Sequence, residues 1–96
     1  MRLRWTPLAL GHLESAYEYV ARDSPGAADK TVERILSAVS VLELHPHIGR
    51  KGRVPRTREL VVTGTPFLVA YRIKGSEIEI LAVLHGARRW PSTLLP

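Results

Sequence analysis

Ninety-six residues, 45% of them hydrophobic and 24% charged, with a formal net charge of +5 and no cysteine, exclude wholesale disorder, disulfide bonds and thiolate metal sites. A chain of this length buries roughly 60 to 68% of its unfolded surface, enough for one core and no second module, so residues 1–96 are expected to form a single domain. No apolar run approaches the ~20 residues of a membrane span, and Met1 to Trp5 lacks the apolar core of a signal peptide, so a soluble, cytoplasmic chain is expected.

Arg2-Leu3-Arg4-Trp5 alternates over four residues and predicts a short first strand at a sheet edge. Thr6-Pro7 supplies an N-cap hydroxyl and a proline at the first helical position. The helix that follows carries Leu10, Leu13, Tyr17 and Val20 at spacings of three and four, an apolar stripe expected to face inward. Asp23-Ser24-Pro25-Gly26 should end this helix near Arg22 and cap the next. In the second helix Ala28, Val32, Ile35, Val39 and Leu42 form the stripe, thickened by Leu36, Val41 and Leu44, until His45-Pro46 stops it. Two amphipathic helices joined by so short a turn predict an antiparallel hairpin.

His45 to Thr57 is basic, with Arg50, Lys51, Arg53 and Arg56, and its Gly49, Gly52 and Pro55 are expected to keep it out of regular structure. It is either a phosphate or carboxylate contact or a solvated connection. His45 and His47 are too few for a metal site. Past this loop the hydrophobic period falls to about two, in Leu60 and Val62, then Phe67 to Ile73, then Ile78 to Leu84, which predicts a meander of three strands. Gly75 can take the positive φ that a tight hairpin needs. The charge is concentrated in this half: residues 1–48 hold five Lys/Arg against six Asp/Glu, net −1, and residues 49–96 hold nine against three, net +6. Such a one-sided field attracts a polyanion or an acidic protein segment.

No phosphate-binding loop, dinucleotide glycine motif, paired carboxylates or zinc-protease helix occurs. No cofactor and no metal are expected, and the chemistry open to the chain is cationic. Cleaving RNA without a metal needs a base for the 2′-hydroxyl proton, a cation for the phosphorane and an acid for the leaving oxygen. His85 could serve as acid or base, Arg72, Arg88 and Arg89 could hold phosphate, and Tyr71 or Trp90 could stack a base. Each also has a plain structural reading. Arg72 fits a cross-strand pair with Glu79, His85 a strand end bonded to backbone, and Trp90 before Pro91 a plug at the end of the core.

The order strand, helix hairpin, meander, with WTPLALGHLESAYEYVARDSP, LELHPHIGR, RELVV, FLVAYRI and IEILAVLHGARRW in sequence, resembles the RelE/ParE superfamily of toxins from bacterial type II toxin-antitoxin systems over nearly the whole chain. The resemblance implies an α+β fold: an N-terminal strand, an antiparallel two-helix hairpin, then a three-strand antiparallel meander. It also implies a cognate antitoxin whose C-terminal segment wraps the toxin. The antitoxin's N-terminal part binds operator DNA, so the toxin reaches that DNA only indirectly, within a hetero-oligomer.

The superfamily divides by target. RelE-like members cut mRNA on the ribosome, and ParE-like members poison DNA gyrase and lack the catalytic set. The ribonuclease branch commonly opens its middle strand with arginine, where this chain has Thr65-Pro66-Phe67. Many of that branch finish with a catalytic tyrosine or a histidine-tyrosine end, where this chain has Gly86-Ala87-Arg88. The VLHGAR ending is more similar to the ParE-like branch. The leading expectation is therefore a gyrase poison, with Arg50, Lys51, Arg53, Arg56, Arg88, Arg89 and Trp90 as target-binding residues. The alternatives are a ribosome-dependent mRNA endoribonuclease using His85 and Arg72, and a non-toxic relative acting only in the regulatory complex.

Overall fold

The structure is a computed structural model, and it describes residues 1–87 and Trp90. The elements run β1 (Arg2–Trp5), α1 (Pro7–Ala21), α2 (Pro25–Val41), β2 (Arg50–Lys51), β3 (Arg58–Val61), β4 (Phe67–Lys74) and β5 (Glu77–His85). They build an α+β fold in which one five-stranded sheet, ordered β1-β5-β4-β3-β2, carries the helix hairpin on one face. β3, β4 and β5 form the expected antiparallel meander. β1 lies at the edge and runs parallel to β5, Trp5 opposite Ile80. The expectation that His45 to Thr57 forms no regular structure is corrected by β2, whose Arg50 and Lys51 pair with Glu59 and Arg58. The glycines only bound this strand; Glu59, which binds the Arg50 side chain, holds it in place.

Both helix starts follow from their caps. Thr6 Oγ1 accepts from the Ala9 N–H at 3.2 Å and Ser24 Oγ from the Ala27 N–H at 3.2 Å, with proline next in each case. The inward stripe of α1 differs from the one expected. Ala9 and Ala16 are buried with Leu13 and Val20 beside them, whereas Leu10 is 51% and Tyr17 37% exposed. The two stripes overlap at Leu13 and Val20, and small alanines let α1 approach the sheet more closely than Leu10 and Tyr17 would. In α2 Ala28, Ile35, Val39 and Leu42 are buried as expected, but Leu36, Val41 and Leu44 are exposed. The helix ends at Val41, three residues short of Leu44, because the bonds tighten to Leu42 N–H to Val39 and Glu43 N–H to Ser40.

The sheet is buried on both faces near its centre. Phe67, Val69 and Tyr71 of β4 and Ile78, Ile80 and Val83 of β5 face the helices. Leu68, Ala70, Ala82 and Leu84 face the other way, under Val54 and Trp90. A register shift at Ala70/Tyr71 leaves Leu81 as an extra residue in β5, a bulge that moves the inward positions from 80 to 83.

Two turns need positive φ and place glycine there, Gly64 at 82° and Gly75 at 60°. A third does not. In Val54-Pro55-Arg56-Thr57 the Thr57 N–H donates to the Val54 carbonyl at 3.2 Å, and Arg56 has φ 66°. Proline at the second position with positive φ at the third defines a type II turn, in which glycine is the usual third residue. Among the described residues no helix is long and apolar enough to cross a membrane.

Candidate functional site

The open face of the sheet holds two buried carboxylates, and they organise most of the arginines. Glu79 on β5 is 1% exposed and lies between Arg4 of β1 and Arg72 of β4, whose Nε donates to it at 2.5 Å. Glu59 on β3 is 3% exposed and accepts from Arg50 Nη2 at 3.1 Å and from the Arg53 N–H at 2.8 Å, with Arg53 Nε at 3.5 Å. A buried carboxylate is tolerated only with charge and hydrogen bonds around it, and each of these has two guanidiniums. Both glutamates occupy outward positions of alternating strands, so the sequence pattern marks them as exposed. They are buried because long arginine stems lie over them.

Arg72 and His85 are not brought together. Arg72 points to the open face opposite Glu79. His85 sits at the far end of β5, six residues or about 20 Å of strand away. Its ring meets Phe67 and Tyr19 edge-on at 5.6 and 6.2 Å between centroids, and its Nδ1 accepts the Ala87 N–H at 3.2 Å. Tyr71 is not available to stack a base: it has no exposed surface, its hydroxyl donates to the Pro46 carbonyl at 2.8 Å, and it accepts the Gly49 N–H at 2.9 Å. Burial raises its pKa, opposed by the Gly49 hydrogen bond and the Arg58 charge. A side chain at position 49 would collide with this hydroxyl, so the glycine is required for the close approach.

Trp90 lies on the apolar patch of the open face, with the Arg53 guanidinium stacked 3.4 Å from its ring centroid. Arg88 and Arg89 lie outside the described residues. Of the four loop cations, Arg50 and Arg53 are thus held by Glu59, while Lys51 and Arg56 have no partner among the described residues. These two line a cleft of about 420 Å³ with His47, Thr57, Arg58 and Arg72. Arg58 Nη1 donates to the Gly49 and His47 carbonyls at 2.9 and 3.3 Å, which fixes the group without neutralising it. Arg58 was missed from sequence because it reads as the first residue of a strand.

A second histidine was also missed. His12 Nδ1 accepts the Val83 N–H at 3.3 Å from α1, and burial lowers its pKa. β1 ends opposite Ile80, so the next stretch of β5 has no strand neighbour on that side. The Thr6 hydroxyl on the Ile80 carbonyl, at 2.8 Å, and His12 satisfy it instead. Among the described residues no His, Asp and Glu side chains gather as metal ligands.

Comparison with known proteins agrees with this architecture. Residues 3–90 match the family described as ParE toxin of type II toxin-antitoxin system, parDE. Putative toxin Y4kP of Sinorhizobium fredii is 43% identical over 93 residues, 97% of this chain and 96% of that protein. Toxin RelE2 of Caulobacter vibrioides is 32% identical over 84 residues, 88% and 93% of the two chains. Among solved structures, a chain of the chromosomal ParDE TA system from P. aeruginosa superposes with a TM-score of 0.78 at 36% identity, covering 86% of this chain and 92% of its own. With the family match spanning nearly the whole sequence and a relative 43% identical over 97% of it, the chain belongs to the ParE toxin family of type II toxin-antitoxin systems.

Proposed function

We propose that this chain arrests growth by binding DNA gyrase and holding it in a DNA-cleaved state, and that a cognate antitoxin neutralises it in the cytoplasm. Family membership supports the toxin reading in general. The observation that carries the choice of target is the separation of Arg72 from His85. A metal-free ribonuclease needs its cation and its acid or base at one phosphate. Here the two lie on opposite faces and at opposite ends of the β4–β5 hairpin, one engaged with Glu79 and the other with Phe67 and Tyr19. A protein-binding poison needs no such convergence.

An antitoxin partner is supported by apolar surface on the helix layer. Leu8, Leu10, Tyr17, Leu36, Val41 and Leu44 are all exposed, Leu44 at 81%. Large apolar side chains left exposed on the helices and the turn after them suit a protein partner. The test is to induce the chain alone in a bacterium and follow labelled thymidine and labelled amino acid incorporation over the first minutes. DNA synthesis failing first, with the DNA-damage response switched on, is the expected result; protein synthesis failing first would return the ribonuclease reading.

A further inference from the structure

We propose that the cleft where β2 ends, β3 begins and β4 runs out is a binding site for the phosphodiester backbone of a nucleic-acid strand. Lys51, Arg56, Arg58 and Arg72 line it with His47 and Thr57, and no carboxylate is among the lining residues. Glu59 is flanked by Arg50 and Arg53, neither of which lines the cleft, and Glu79 is shared between Arg72 and Arg4, so one lining cation of the four has a carboxylate partner. Arg72 is tied to Glu79 through Nε, which leaves its terminal nitrogens for a ligand. Arg58 is oriented by two backbone carbonyls and keeps its full charge. Two of the guanidinium groups are therefore positioned before any ligand arrives, which lowers the ordering cost of binding.

Arg56 gives an independent reason to read the cleft as built. It occupies the position of a type II turn where glycine is favoured, at φ 66°, and a long side chain there works against the local backbone preference. Arg56 lines the cleft together with Lys51. A non-glycine residue held at positive φ in the lining of a cleft supports reading that cleft as functional. Ile73 is the one large apolar side chain in the lining, so an acidic peptide would find little to bury. A phosphodiester backbone needs only cations, and guanidinium forks match its oxygens. His47 lies in the same lining, so binding without cleavage of the oligonucleotide is what distinguishes this site from a ribonuclease centre.

The test is fluorescence anisotropy of the purified full-length chain with a labelled single-stranded oligonucleotide, titrated at several salt concentrations. Lys51→Ala/Arg56→Ala is expected to weaken binding about tenfold or more. It should also make the slope of log affinity against log salt shallower by about 1.4, two contacts at roughly 0.7 each. Lys30→Ala/Arg22→Ala, which removes two cations from the helix layer, is expected to change affinity less than about twofold. Arg56→Gly, which relieves the turn, should fold at least as well as the parent and still bind more weakly. Equal binding by parent and Lys51→Ala/Arg56→Ala would overturn the proposal. So would inorganic phosphate or a polyglutamate peptide competing through the same two residues as effectively as the oligonucleotide.

Discussion

Single side chains join the helix layer to the sheet, and two of them do so through hydrogen bonds rather than packing. Tyr71 closes the turn after α2, bonded to both Pro46 and Gly49 from the buried centre of β4. Tyr71→Phe keeps the ring but strands the Gly49 N–H, and should cost about 1–3 kcal/mol in a denaturant titration. A loss no larger than a few tenths would mean that water replaces the hydroxyl. His12 joins α1 to the bulged part of β5. Burial holds its pKa below 6.5, so the ring is neutral in the folded and unfolded chain at neutral pH. As pH falls below 6.5 the unfolded chain takes up the proton first, so the stability present above that value is lost as the pH falls through the lower folded value. Unfolding midpoints measured from pH 7 to 5 should therefore fall more steeply for the parent than for His12→Gln, and parallel profiles would contradict the assignment.

At the scale of elements, the open face of the sheet is held by arginine around buried glutamate. Glu79 ties β1 and β4 to β5 at once, and Arg4 contributes only one half of that link. Glu79→Ala should cost about 2 kcal/mol, because it leaves two guanidiniums facing each other, and Arg4→Ala clearly less, because Arg4 is half exposed and Arg72 remains. Urea midpoints for the two variants give the order, and equal losses would contradict it. Much of this level was legible in the sequence. Thr6-Pro7 and Ser24-Pro25 announced both helices, period-two alternation announced the meander, and the Arg72–Glu79 pair followed from strand register. The inward face of α1 was not legible, because alanines carry too little hydrophobic signal to compete with Leu10 and Tyr17, although small size is what the contact needs. β2 was missed for a similar reason: two residues between glycines carry no period, and their pairing depends on a glutamate eight to nine residues on.

For the whole molecule, the sequence located the charge correctly in the sheet half and could not say which cations were committed. Arg50, Arg53 and Arg72 serve buried carboxylates, and Arg53 also covers Trp90. Lys51, Arg56 and Arg58 have no carboxylate partner among the described residues. Exposed apolar residues on the helices and uncommitted cations at one end of the sheet divide the surface into two regions with different chemistry. That division suits a toxin that meets one partner through apolar contact and another through charge. The most direct measurement is to incubate the purified chain with DNA gyrase from its own host and supercoiled plasmid, then denature the protein and resolve the DNA. A gyrase poison predicts accumulation of linear, protein-linked DNA that rises with the amount of chain added. Unchanged plasmid, with mRNA cut when the same chain is added to programmed ribosomes, would contradict it.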